Sequence, residues 1–94
     1  MLRKILFVDD DRILRAAFEQ ILAGYREHFS AVMANDGFEA VQLLKKLPFS
    51  LVILDLVMPR MDGISLLKHI RDSYPDIPVV IISGMPLEKM HQLA

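Results

Sequence analysis

The sequence predicts an α/β protein: a doubly wound parallel sheet with helices on both faces. Two observations lead there. Short unbroken apolar runs and apolar stripes of helical period take turns along the chain, in the order β-α-β-α-β-α-β-α. The strand candidates also show no alternation of apolar and polar residues, the pattern of strands buried on both sides. With 94 residues, 53% hydrophobic and 24% charged, the chain has room for one packed domain, residues 1–94, and is too apolar for disorder.

Lys4–Val8 (KILFV) is the first strand. Arg12–Ala23 follows as a helix, with Ile13, Leu14, Ala17, Ile21 and Leu22 on one stripe and Gly24 closing it. Phe29–Ala34 is a weaker strand, diluted by Ser30 and alanines, and Asn35-Asp36-Gly37 punctuates. Phe38–Leu47 is helical, with Phe38, Val41, Leu44 and Leu47 in phase, and Pro48 ends it. Ser50–Leu54 (SLVIL) carries the strongest strand signal. After a loop holding Pro59 and Gly63, Ile64–Tyr74 is a third helix with Leu67 and Ile70 inward. Pro75 and Pro78 bracket the turn into the strand Pro78–Ile82, and Pro86–Ala94 begins a fourth helix.

Composition excludes several functions. Lys and Arg number 11 against 12 Asp and Glu, a formal charge of −1 with no basic run, so this chain is not expected to bind nucleic acid. No cysteine means no disulfide, thiolate nucleophile or Cys-based zinc site. The longest aliphatic runs, Leu51–Leu54 and Val79–Ile82, fall far short of the roughly 18 residues of a membrane span. The apolar stretch Ile5–Val8 is too short for a signal sequence, so no membrane association and a cytoplasmic location are expected.

Chemistry concentrates in aspartates. Asp9, Asp10 and Asp11 directly follow the first strand, and Asp55 follows the third. Open α/β sheets bind ligands outside the carboxyl ends of their strands. Carboxylates at two such ends suit Mg²⁺, which takes oxygen ligands and keeps several waters. An aspartate after a strand can equally cap the next helix. Capping is the preferred reading for Asp11, both readings stay open for Asp9 and Asp10, and Asp55 stands too far from its helix to cap it.

Three segments carry a resemblance: Asp9-Asp10 after KILFV, Asp55-Leu56-Val57-Met58-Pro59-Arg60-Met61-Asp62-Gly63, and Ser83 after PVVII. Together they resemble the receiver domain of bacterial two-component response regulators, and Ala34–Ala40 is similar to that family's entry into its second helix. The resemblance covers the whole chain. It implies a flavodoxin-like fold with strand order 2-1-3-4, and a phosphoacceptor signalling domain rather than an enzyme acting on a separate substrate. Asp55 would take a phosphoryl group from a histidine kinase or phosphotransfer protein. Mg²⁺ would be held by Asp10 directly, Asp9 largely through water, Asp55, and the backbone carbonyl of Val57. Ser83 would hydrogen-bond the phosphoryl group and act as the switch, although on sequence alone it could cap a helix. Pro59 and Gly63 would shape the loop.

The departure from that pattern is at the end: four strands and part of a fourth helix, where the family has five βα units. The family's lysine after the fifth strand has no counterpart, and Lys89 lies on the wrong element. Strand four would then be an uncharged edge, and a homodimer or segment-swapped dimer through it is expected. Two alternatives remain: a haloacid-dehalogenase-like phosphohydrolase with Asp9 as nucleophile, and a receiver-like module that only dimerises. His28, His69 and His91 show no ligand spacing and are expected at the surface, as are Lys45, Lys46 and Lys68.

Overall fold

In the computed structural model, which describes residues 3–56 and 63–82, the sheet is built around β1 (Arg3–Val8). It runs parallel to β2 (Phe29–Ala34) on one side and β3 (Leu51–Asp55) on the other, and β3 pairs with β4 (Val79–Ile82). The order is β2-β1-β3-β4, as the resemblance implies. Parallel strands need long crossovers, and the helices that supply them are α1 (Arg12–Ala23), α2 (Gly37–Lys46) and α3 (Gly63–Ser73). The fourth helix expected over Pro86–Ala94 lies outside the described residues.

The two sheet faces are covered unequally. On one, Leu6 and Val8 of β1 and Val52 and Leu54 of β3 meet Ala40 and Leu44 of α2 and Leu66 and Ile70 of α3 in a single buried cluster. On the other, α1 is the only helix among the described residues, with Phe18 stacked on Phe7 of β1 at 4.3 Å between ring centroids. Beside it runs an apolar groove of about 270 Å³, lined by Phe7, Leu14, Phe18, Ile53, Val80 and Ile82 among others. None of its lining residues is charged.

Several in-phase residues pack differently from expectation. No α1 residue is fully buried, and Ile13 and Ile21 stand 83% and 63% exposed, because this helix covers only part of a sheet face. Phe18, absent from the expected stripe, makes the central contact. In α2, Phe38 in the first turn is exposed while Ala40 is fully buried; in α3, Leu66 joins Ile70 in the buried core, and Leu67 packs half-buried against it. Gly24 caps α1 with φ −71°, ordinary right-handed backbone rather than the left-handed turn that glycine usually supplies. His28 is exposed as expected, but His69 is half-buried, edge-on to Tyr74.

Candidate functional site

The parallel register sets the site. Val8 pairs with Leu54, so Asp9 leaves β1 beside the point where Asp55 ends β3. Asp9, Asp10 and Asp55 each offer a carboxylate oxygen, and these atoms lie within 4.8 Å of one another. Opposite ligands of an Mg²⁺ octahedron are about 4.2 Å apart, so some of these carboxylates would reach a cation directly and others through water.

The three aspartates of the first loop separate by burial. Asp11 is exposed and caps α1, its Oδ1 accepting from the N–H groups of Ile13 at 2.9 Å and Leu14 at 3.3 Å. Asp10 is exposed. Asp9 is 1% exposed; its Oδ1 accepts from the Asp11 N–H at 2.8 Å, while Oδ2 is buried with no hydrogen-bond partner among the described residues. Burial pushes the Asp9 carboxyl above its ordinary range. The Asp11 N–H opposes that shift, and the charges of Asp55, Asp10 and Asp11 add to it. A buried acceptor facing like charges is the environment a divalent cation relieves, so the residues fit the metal.

The second flank is built by the loop after β2. The Asp9 N–H donates to the Ala34 carbonyl at 3.2 Å, tying the site to the end of β2. Asp36 caps α2 by accepting from the Glu39 N–H at 2.8 Å, and Glu39 reaches back to both the N–H and the side-chain amide of Asn35. This is a capping box displaced by one residue, and Asp36-x-x-Glu39 in the sequence is its signal. Arg15 of α1 donates from its guanidinium to Asn35 Oδ1. Nothing in the sequence pattern marked that contact. On the third side, Asp55 pairs with Ile82, the residue before Ser83. Ser83 and Val57 themselves lie outside the described residues, as do Pro59, Lys89 and His91.

A doubly wound sheet with carboxylates clustered at its carboxyl edge defines an open α/β protein with a candidate site at the strand ends. The chain belongs to the response regulator receiver domain family, whose model matches residues 5–93. Response regulator RR06 of Streptococcus pneumoniae serotype 2 (strain D39 / NCTC 7466) is 37% identical over 81 residues, 86% of this chain and 36% of that protein. Regulator of RpoS of Escherichia coli (strain K12) is 36% identical over 82 residues, 87% of this chain and 24% of that protein. The chain therefore spans about a third or less of the length of these relatives. Among solved structures, the signal receiver domain of an HD domain-containing protein from Pseudomonas fluorescens Pf-5 matches with TM-score 0.90 and 30% identity, over 100% of this chain and 74% of that one. A CheY-like receiver domain protein from Methanospirillum hungatei JF-1 matches with TM-score 0.88 and 25% identity, over 99% and 73%. The family is a signalling family whose members bind Mg²⁺ at an acidic pocket and interact with histidine kinases or phosphotransfer proteins. No helix among the described residues is long and apolar enough to cross a membrane.

Proposed function

We propose that Asp55 accepts a phosphoryl group from a histidine kinase or phosphotransfer protein in the cytoplasm. The observation that carries this reading is the convergence of Asp9, Asp10 and Asp55 at the ends of β1 and β3, with Asp9 Oδ2 buried and without a hydrogen-bond partner among the described residues. An Asp55 carboxylate oxygen bonds to phosphorus as the bond from phosphorus to the donor's imidazole nitrogen breaks, leaving an acyl phosphate and a free imidazole. Asp9, Asp10, Asp55 and the Val57 carbonyl would hold Mg²⁺, which would supply charge neutralisation on the phosphoryl oxygens. Asp9, pinned by the Asp11 and Ala34 contacts, keeps the pocket's floor in place, and Ser83 is the proposed hydroxyl partner of the phosphoryl group. The domain catalyses its own phosphoryl transfer and dephosphorylation at most.

The test is intact-mass analysis after incubation with a small acyl phosphate and Mg²⁺. One added phosphoryl group, lost in Asp55→Asn, supports the assignment. Modification that survives Asp55→Asn but not Asp9→Asn would move the nucleophile to Asp9, as in a haloacid-dehalogenase-like mechanism.

A second copy of the chain is the proposed occupant of the α1 groove. Its lining is uncharged, and among the described residues β4 pairs on one side only. Val80 and Ile81 stand 48% and 38% exposed on that strand, and a formal charge of −1 does little to keep copies apart. Two such faces meeting about a two-fold axis would cover each other.

A further inference from the structure

We propose that Arg15 is a positioning residue for the acidic site, acting through Asn35. The inference rests on the Mg²⁺ reading of Asp9, Asp10 and Asp55. Arg15 sits one turn into α1, and its guanidinium donates to Asn35 Oδ1. Its Nε is buried, so packing rather than solvent places the side chain. Asn35 is held from the other direction by the Glu39 carboxylate, which accepts from its backbone N–H and its side-chain amide at 3.3 and 3.2 Å. The preceding residue, Ala34, accepts the Asp9 N–H. Arg15, Asn35 and Glu39 therefore form a clasp joining α1, the end of β2 and α2, and the Asp9 backbone is tied into it. Like charges on Asp9, Asp10 and Asp55 repel one another, and the clasp fixes the Asp9 side of the cluster against that repulsion.

Simple electrostatics and the clasp predict different outcomes. Arg15 carries a positive charge on α1, the helix that Asp11 caps, so removing it should leave cation binding unchanged or tighten it if charge is all that matters. If Arg15 acts by position, its loss weakens binding. Arg15→Met keeps the aliphatic stem and removes the donor; Arg15→Lys keeps a donor for Asn35.

The measurement is titration of the ¹⁵N-labelled chain with MgCl₂, following the backbone amides of Asp9, Asp10 and Asp55. Arg15→Met is expected to raise the Mg²⁺ Kd about three- to tenfold, at or below the low end for outer-shell substitutions. Asn35→Ala, which changes no charge, should do the same. The double variant should lose no more than either single one, since both break one clasp. Arg15→Lys should restore most of the affinity. Unchanged or tighter binding in Arg15→Met, or an Asn35→Ala variant that binds like wild type, would overturn the clasp while leaving the metal site intact. A wild-type chain whose amides ignore MgCl₂ would overturn the metal site and the clasp together.

Discussion

Gly63 packs directly onto the backbone that ends at Asp55. A Cβ at Gly63 would stand 2.4 Å from the Asp55 carbonyl oxygen and 2.3 Å from the Leu56 Cα, distances that side chains do not tolerate against backbone. The Gly63 N–H meanwhile donates to the Leu56 carbonyl at 3.0 Å, so helix α3 begins in contact with the strand that carries the phosphoacceptor candidate. Gly63→Ala must separate α3 from β3. We expect it to lower stability by about 2–3 kcal/mol, seen as a lower urea midpoint, and to reduce phosphorylation at Asp55 as well. A fully stable, fully active Gly63→Ala would contradict the contact.

Gly24 is the contrasting case. Its backbone is right-handed, and an added Cβ meets nothing closer than the Ile21 carbonyl oxygen at 3.6 Å. Gly24→Ala should therefore stabilise the domain by about 0.4–1 kcal/mol by restricting the unfolded chain. Thermal melts of the two glycine variants should move in opposite directions.

Asp9 should make the metal-free protein sensitive to pH. Its carboxyl is raised above the ordinary value, first by burial and then by the neighbouring charges of Asp55, Asp10 and Asp11. As pH rises, the unfolded chain releases the Asp9 proton before the folded one does. This group's contribution is therefore present in acid and lost on the way to neutrality. Asp9→Asn removes that loss. Without metal, its melting temperature should exceed wild type by several degrees near neutral pH, an effect of about 1 kcal/mol, with the gap closing towards pH ~4. Added Mg²⁺ should raise the wild-type melting temperature and leave Asp9→Asn almost unmoved. Curves that stay parallel at every pH would mean that Asp9 is not strained.

Self-association should be detectable by light scattering of the 94-residue chain at tens of micromolar, with a mass above that of the monomer. Val80 lies on the groove and is half-exposed, so Val80→Lys disturbs the monomer little. It should return the protein to monomer. A dimer that survives the substitution uses another surface.

The strands were readable because apolar runs without alternation have few other meanings; Phe29–Ala34 and Arg12–Ala23 have the predicted limits. The aspartates were readable as a group and not individually. Asp9, Asp10 and Asp11 look alike in sequence, and only packing separates a buried carboxylate from an exposed one and from a helix cap. Periodicity also cannot say how completely a face is covered, which is why Ile13 and Phe38 were in phase and yet exposed. The Arg15–Asn35 contact joins positions 20 apart on different elements, and neither residue breaks any local pattern.

The parallel register also works as a ruler, with consequences for how this sequence can change length. Val8 opposite Leu54 and Asp55 opposite Ile82 fix the carboxylates by counting residues from the start of each strand. Deleting one residue within β3 would turn Asp55 to the other sheet face, and the cluster with Asp9 and Asp10 would be lost even if the fold survived. The turn from Gly24 to His28 is different. It is exposed, and it leads into Phe29, which pairs with Arg3 at the amino end of the sheet, away from Asp9. Insertions there shift no register and touch none of the clustered aspartates. Length variation among descendants of this sequence should collect at residues 24–28 and be purged from β1 and β3.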